Sequence, residues 1–420
     1  MDFIISTLYH ILSAFLNNLG HKSFYNFKII CYNYSEFKDK YMNNKVKIIV
    51  ASFAVGMAAV LTGCGGCGGC MGCGGDTGPN NTLTRSNWFT GTSYSGIQPS
   101  FISGNEKFSP EIITYEVDYD KTGASNAFVE LEYSKGSFTT TFYAVQNWAS
   151  RIESAIPEGY APKKADEVVY YYKTELVISV RYKMKTGDKA QSPLFNDHVV
   201  TESYFRASGK NLQPLYSRQE IKSTSPANYQ PANLEDAYQE VDVKYENFYN
   251  DARTRLLSVT YDKDGKESER KELDVSELDY TLFDNSSLYI AVRAMKLSSP
   301  LSETITLFSA AAGGIDTYAV ITSDAALTAQ ERKNFTDALT AQNLYYPKDN
   351  DEGVPATAVA IAYAGSDLHG TTQTAWYASI TNDDNNVSRA TMLKLSVPIS
   401  FSLGTLVYSL KEVNSTLWNG

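Results

Sequence analysis

The sequence predicts a mainly β protein with one large antiparallel sheet and a few helices packed on or beside it. Two observations lead to this fold class. From about residue 111 onward, apolar and polar residues alternate along short stretches, as they do in strands with one buried face. Turn-forming residues separate neighbouring stretches at hairpin distances. A β-sandwich is the alternative architecture.

The first predicted strands lie between residues 113 and 184. Apolar side chains occupy every second position from Ile113 to Tyr119. The turn Ser134-Lys135-Gly136 separates strands at 129–133 and 138–142, and Thr186-Gly187-Asp188 closes a strand at 175–184. The later predicted strands are 198–206, 214–222, 239–247, 254–261, 266–274, 302–309, 315–322, 356–363, 373–380, 390–399 and 404–412.

Two helices interrupt this β pattern, and a third is a candidate. Asp284 or Asn285 can cap a helix over 286–296, which has an apolar face. Thr328-Ala329-Gln330-Glu331 has the spacing of a capping box and opens a helix that ends near Ala341. Residues 145–156 form the third candidate helix.

Composition excludes several classes of protein. The chain has 420 residues, of which 43% are hydrophobic and 20% charged. This is enough apolar material for a core, and it excludes a wholly disordered chain and a multi-span membrane protein. The formal net charge of -10 argues against nucleic acid as a partner, because phosphate binding needs a basic surface.

Residues 42–64 read as an export signal. Lys45 and Lys47 precede an uncharged run from Ile48 to Leu61, which ends in Leu61-Thr62-Gly63-Cys64. This resembles the lipobox of bacterial lipoproteins. The resemblance implies that 42–63 is a signal peptide, that the Cys64 thiol receives a diacylglyceryl group and the chain is cut just before it, and that membrane lipid holds the exported protein on the outer face of a bacterial membrane. The alternative is a short uncleaved anchor helix.

The rest of the chain divides around this signal. Residues 1–41 are expected to be an upstream extension outside the translated protein, which would start at Met42. Residues 64–110 form a tether and linker rich in Gly and Cys; its thiols at Cys67, Cys70 and Cys73 could approach one metal, but glycine-rich flexibility favours a tether without metal. Residues 111–420 form the exported β-rich domain.

A second resemblance concerns this domain. The segments TESYFRASGKNLQPLYSRQEIK at 201–222 and LFDNSSLYIAVRAM at 282–295 are followed by final strands that carry Trp376 and Gly404. Together they resemble a bacterial envelope family of unknown function with a half-barrel fold similar to the lipoprotein carrier LolA. The resemblance implies that the sheet curves around the helix that follows Asp284.

A half-barrel with so short a helix leaves room on its concave face. We therefore predict an apolar ligand site there, lined by aromatic side chains. Its candidate residues are Tyr115, Tyr133, Phe142, Tyr182 and Trp376.

The sequence offers no catalytic or metal-binding residue. After the tether the chain has no Cys and only His198 and His369. Ser366-Asp367-Leu368-His369 favours a hairpin turn over part of a catalytic triad, because no Gly-x-Ser-x-Gly elbow accompanies it. The acidic loops 349–353 and 382–386 lack EF-hand spacing. We therefore expect no cofactor and no metal.

Three functions remain open. The first is non-enzymatic binding of an apolar ligand or an envelope protein by a membrane-anchored lipoprotein. The second is glycan binding by the Tyr-rich surface, since the chain has 30 Tyr. The third is an extracytoplasmic hydrolase whose site is not visible in the sequence.

Overall fold

The computed structural model describes much of the chain from residue 111 to residue 414. The regions expected at 1–41, 42–63 and 64–110, with Cys64, lie outside the described residues, as do His369 and most of both acidic loops. The described residues are 111–160, 167, 169–187, 189–208, 211–278, 282–293, 295, 302–344, 353–363, 372–380 and 389–414.

Within these ranges the protein is mainly β, and sixteen strands form one sheet. The fold class predicted from the sequence is therefore confirmed. The strands are β1 Glu111–Asp120, β2 Val129–Tyr133, β3 Gly136–Val145, β4 Val169–Met184, β5 Phe195–Ser208, β6 Asn211–Pro226, β7 Tyr238–Tyr249, β8 Arg255–Tyr261, β9 Glu267–Asp274, β10 Leu282–Asp284, β11 Ser302–Ser309, β12 Gly314–Ser323, β13 Thr357–Tyr363, β14 Gln373–Ile380, β15 Arg389–Pro398 and β16 Thr405–Asn414.

The sheet curls round without closing into a barrel. Its order is β10-β11-β12-β13-β14-β15-β16-β1-β3-β4-β5-β6-β7-β8-β9, with β2 paired to β4. Of the described pairs, β10 with β11 is parallel and the others are antiparallel. Side chains bring the two ends together: Leu282 of β10 packs with Tyr249 and Leu256, and Lys271 of β9 donates a hydrogen bond to the Gly313 carbonyl at 2.7 Å.

A short helix, α1 (Leu288–Arg293), lies in the main core, and all of its residues are buried. Asp284 caps the 3₁₀ turn that leads into it, as the sequence predicts, because its carboxylate accepts the Ser286 N–H at 2.9 Å. The same carboxylate accepts hydrogen bonds from the hydroxyls of Ser217 and Tyr249 on the surrounding strands. These bonds fix α1 to β6 and β7.

The other end of α1 is held by a buried ion pair. The guanidinium of Arg293 binds both carboxylate oxygens of Glu111, and the Nη2–Oε2 distance is 2.9 Å. The side chains are 6% and 1% exposed. Arg293 also donates to the carbonyl of Ala390. This one side chain therefore joins α1 to the first residues of β1 and β15.

The second helix, α2 (Ala329–Ala341), begins with the capping box expected from the sequence: Thr328 accepts the Glu331 N–H, and Glu331 accepts the Thr328 N–H. Phe335 and Leu339 are buried in the main core. Lys394 of β15 pairs with Glu331, so α2 is fixed to the C-terminal half of the sheet.

The candidate helix at 145–156 is reduced to one 3₁₀ turn, Trp148–Arg151. Asn147, which precedes this turn, has a left-handed backbone with φ 52° and makes no side-chain cap. Trp148 is buried against a second hydrophobic cluster. The segment 146–160 therefore crosses one face of the sheet as a covering loop.

Candidate functional site

The structure buries four of the five aromatic residues predicted to line a ligand site. Tyr115, Phe142 and Tyr182 are at most 2% exposed, and Trp376 is 7% exposed. Tyr133 is half-buried. All five belong to or pack against the main core, where they contact protein side chains. Ligand binding by these residues stays a prediction.

The five residues do not form one surface. Trp376 lies on the face covered by the chain before α2, since its Nε1 donates to the Ala325 carbonyl at 2.9 Å. Its neighbour Tyr377 reaches the opposite face, where its hydroxyl contacts the carbonyl of Tyr289 in α1. Tyr377 therefore faces α1, whereas Trp376 faces the chain before α2.

Tyr133 and Tyr182 lie near a buried acid, Asp197. Asp197 is 3% exposed, and its Oδ1 accepts the N–H of Thr224 at 2.9 Å and its hydroxyl at 3.2 Å. Burial raises the pKa of Asp197 to about 7, although these two hydrogen bonds oppose the shift. Burial, with Asp197 adding to it, also raises the pKa of both tyrosines well above the ordinary value. Asp197 is therefore a buried group at this end of the core whose pKa lies near neutral pH.

Three loops meet at the same end of the sheet. They connect β1 to β2, β6 to β7 and β15 to β16. The ring of Phe128 lies edge-on to Tyr229 at 6.5 Å, and Tyr229 lies 6.3 Å from Phe401. Tyr229 is 45% exposed, and the two Phe rings are half-buried. We call this surface, made of loops 122–128, 227–234 and 399–404, the three-loop platform.

One predicted residue adjoins this platform. The ring of Tyr119 lies 5.1 Å from the ring of Tyr133. The Tyr119 hydroxyl donates to the carbonyl of Leu403 at 2.5 Å. Tyr133 therefore contacts the platform through Tyr119.

Asn126 holds the three loops together. Its side-chain NH₂ donates to the carbonyls of Tyr229 at 3.2 Å and Phe401 at 3.1 Å. Its Oδ1 accepts the N–H groups of Phe128 and Val129, both at 2.9 Å. Asn126 is 2% exposed, and these bonds use both donors and both lone pairs of the amide. One buried amide therefore joins the three loops.

The third loop carries backbone strain. Phe401 has φ 59° and ψ 26°, and Ser402 has φ 55°. A bulky residue in the left-handed region is an outlier that costs about 1–3 kcal/mol. The Ser402 carbonyl accepts the N–H groups of Ser125 and Asn126 at 2.9 and 3.2 Å, which holds the turn in place. Strain of this kind concentrates at recognition and catalytic sites.

The platform loops themselves carry no charged side chain, although the Lys185 ammonium beside them donates to the Asn126 carbonyl at 2.7 Å. The loop sequences TGASNAF, ANYQPANL and ISFSLG contain no Asp, Glu, Lys or Arg, whereas these residues make up 20% of the chain. Tyr, Ser, Gly and Asn dominate the recognition loops of antibodies, where they combine flat contact area with adaptable hydrogen bonding. The platform loops share the Ser, Gly and Asn of such loops, with one Tyr, Tyr229.

A second aromatic feature lies on strands β3 to β7, on the face of the sheet that points away from the main core. Five rings stand side by side in register, and the separations of neighbouring ring centroids run from 4.8 to 6.1 Å. Segment 146–160 covers this tyrosine ladder with Trp148, whose ring lies 5.9 Å from that of Tyr204. The tyrosine ladder consists of Tyr143, Tyr171, Tyr204, Tyr216 and Phe248.

A carboxylate beside the tyrosine ladder is held in its ionised form. Glu246 is 1% exposed and accepts hydrogen bonds from Ser154 at 2.6 Å and Tyr216 at 3.1 Å. Burial raises the pKa of Glu246, but the hydrogen bonds from Ser154 and Lys244 outweigh burial, so the pKa lies below its ordinary value. A general acid for glycoside hydrolysis needs a raised pKa, so Glu246 does not suit that role.

One cleft among the described residues is small. A cleft of about 20 Å³ near the seam of the sheet, lined by Leu212, Pro214, Tyr249, Val275 and Leu282, has room for about one water molecule. Among the residues that the structure describes, no three of His, Cys, Asp and Glu come together as a metal site. No helix in the described ranges is long and apolar enough to cross a membrane.

No family model matches this sequence, and no curated protein matches it significantly. The chain is similar to the crystal structure of a β-barrel-like protein with a domain of unknown function, DUF1849, from Brucella abortus. The two are 13% identical with a TM-score of 0.38, and the match covers 73% of this chain and 97% of the other. A likeness this low carries no argument about function.

The sequence-based prediction missed the central residues of the platform. Asn126, Phe128, Tyr229 and Phe401 lie in three separate loops far apart in the chain. The available signal was the repeated occurrence of an aromatic residue in an uncharged loop. Only the folded sheet shows that these loops share one end.

Proposed function

We propose that this protein is a lipid-anchored, non-enzymatic binding protein on the outer face of a bacterial membrane, and that it contacts an envelope component through the three-loop platform. The sequence that ends at Cys64 supports the anchor, because a lipobox Cys receives lipid. A flexible tether over 64–110 would let the domain reach partners near the membrane.

The platform carries this proposal. Tyr229 offers an exposed ring on a backbone that Asn126 already fixes. Ordering such a surface on binding costs little conformational entropy, so more of the contact energy appears as affinity. The interior is a less suitable site for an apolar ligand, since the predicted positions Tyr115 and Phe142 are filled core positions.

A photo-crosslinking experiment tests the proposal in intact cells. The full lipidated protein carries p-benzoylphenylalanine in place of Tyr229. We expect a discrete adduct with an envelope component on irradiation. The matched control carries the same group in place of Ile321, an apolar side chain that is 38% exposed on β12. Absence of an adduct at position 229, or an equal adduct at both positions, would show that the platform is not the contact surface.

A further inference from the structure

The chemistry of the platform indicates its ligand class. We infer that the three-loop platform binds a neutral polysaccharide, whose sugar rings lie against Tyr229, Phe128 and Phe401. This inference rests on the proposed function and adds the identity of the ligand.

Aromatic rings and uncharged polar groups occur together on this surface. The rings of Phe128, Tyr229 and Phe401 form a continuous series with separations of 6.5 and 6.3 Å. A sugar has apolar C–H faces, which pack on rings, and a rim of hydroxyls, which need hydrogen-bond partners. The exposed residues Asn228, Gln230 and Ser402 offer amide and hydroxyl groups of the required kind.

Charge distinguishes a sugar polymer from other occupants. The platform loops contain no charged side chain. The ammonium groups beside them, of Lys121 and Lys185, bond to Glu130 and to the Asn126 carbonyl, both at 2.7 Å. The net charge of -10 also repels anionic chains. A purely apolar occupant would leave the amides and hydroxyls of Asn228, Gln230 and Ser402 to lose water without replacement bonds. A neutral chain rich in hydroxyl groups needs no ion pair, and it replaces the hydrogen bonds to water that these side chains lose.

Rigidity supports the same conclusion. Asn126 has all of its hydrogen-bonding groups occupied within the platform, and the strained turn at Phe401 is held by two hydrogen bonds from the first loop. Sugar hydroxyls lose good hydrogen bonds to water on binding, so net affinity depends on a surface that needs little reorganisation.

Calorimetric titration of the full-length lipidated protein tests the inference. The protein is kept in lauryldimethylamine oxide, a detergent without a sugar headgroup. The probes are maltohexaose, cellohexaose and xylohexaose as neutral glycans, hexagalacturonate as an anionic glycan, and a fluorescent fatty acid as an apolar ligand. We expect at least one neutral hexasaccharide to bind and hexagalacturonate not to bind.

Matched variants place the binding site. Tyr229→Ala should weaken the neutral hexasaccharide about tenfold, because a lost ring contact costs about 0.5–1.5 kcal/mol together with the buried ring area. Tyr229→Phe should retain most of the affinity. Tyr143→Ala, at the half-buried end of the tyrosine ladder, should bind as the unmodified protein does.

The other outcomes overturn the inference. If none of the neutral hexasaccharides binds, or if Tyr143→Ala weakens binding and Tyr229→Ala does not, the platform is not a glycan site. If the fatty acid binds with a dependence on Tyr229, the ligand class is wrong, whereas the proposed contact surface stands. The crosslinking experiment at position 229 tests the contact surface separately: an adduct there does not require that any of these glycans binds, and its absence would overturn the proposed function itself.

Discussion

Two buried polar residues at the platform end of the sheet have opposite effects on stability. Asn126 pairs with four backbone groups, of which the Val129 N–H bond is buried and the other three are part-buried. Asp197 places an ionisable carboxyl in the core, where burial raises its pKa to about 7. Buried amides that complete a network stabilise a fold, whereas a buried carboxylate is costly once it ionises.

Replacing Asn126 with Ala should destabilise the protein by about 2–3 kcal/mol, because carbonyls of Tyr229 and Phe401 and two N–H groups lose their partner. Urea unfolding measures the change in free energy. Asn334→Ala is the control, since Asn334 is exposed on α2 and accepts one side-chain hydrogen bond. If Asn126→Ala lowers the free energy of unfolding no more than the control does, Asn126 does not hold the three loops together.

Asp197 should make stability fall as the pH rises from about 4 to about 7. In this window the unfolded carboxyl, with a pKa of about 3.9, has lost its proton, whereas the folded one, with a pKa of about 7, retains it. The folded state therefore binds more protons, and raising the pH favours unfolding. The full effect is at most about 4 kcal/mol.

The variant Asp197→Asn keeps an oxygen that accepts the Thr224 bonds and has no proton to lose. Its free energy of unfolding should match that of the unmodified protein near pH 4 and exceed it at pH 7.5. Chemical denaturation at the two pH values measures this difference. An equal difference at both values would show that Asp197 does not titrate as described.

At the scale of elements, α1 is joined to the sheet at both ends. The Asp284 carboxylate accepts hydrogen bonds from hydroxyl groups on β6 and β7. Arg293 binds Glu111 at the start of β1. A six-residue helix is too short to be stable by itself. Tertiary contacts therefore decide its position, and the buried ion pair is the strongest candidate among them.

Replacing Glu111 with Gln should cost about 3–5 kcal/mol, because the buried Arg293 would lose its counter-charge. The double variant Glu111→Met, Arg293→Met should recover much of this loss, since two apolar side chains remove both charges from the core. Thermal and urea unfolding compare the stability of the unmodified protein, the single variant and the double variant. A single variant as stable as the unmodified protein would show that the pair does not hold α1.

Most elements could be predicted from local patterns, because alternation and caps are encoded locally. Asp262 to Gly265 marks the β8–β9 hairpin, in which the Gly265 N–H bonds to the Asp262 carbonyl. Strand β10 was missed, since three residues are too few to show alternation. The candidate site was missed for a different reason: its loops meet only because β1, β6 and β15 end at the same side of one sheet.

At the scale of the whole molecule, we propose that an anchor and a recognition domain are separate parts of the chain. The sequence that ends at Cys64 is expected to supply the membrane attachment. The described residues supply one large sheet with the three-loop platform at one end. The two roles make independent predictions.

Changing Cys64 to Ala should leave the precursor uncut and without lipid, because the lipobox resemblance implies that the thiol is the acceptor of a diacylglyceryl group. Metabolic labelling with a radioactive fatty acid and the electrophoretic mobility of the precursor report on both steps. Cys67→Ala is the matched control in the same glycine-rich segment. Normal labelling and cleavage of the Cys64 variant would show that this residue is not the lipid attachment site.

Hydrogen–deuterium exchange tests most directly the claim that the protein meets its ligand at the three-loop platform. The full lipidated protein is compared alone and with isolated, unlabelled envelope material. The account predicts slower exchange in 122–128, 227–234 and 399–404 together, with no change in 146–160 over the tyrosine ladder. Protection confined to 146–160, or no protection in any of the three loops, would contradict it.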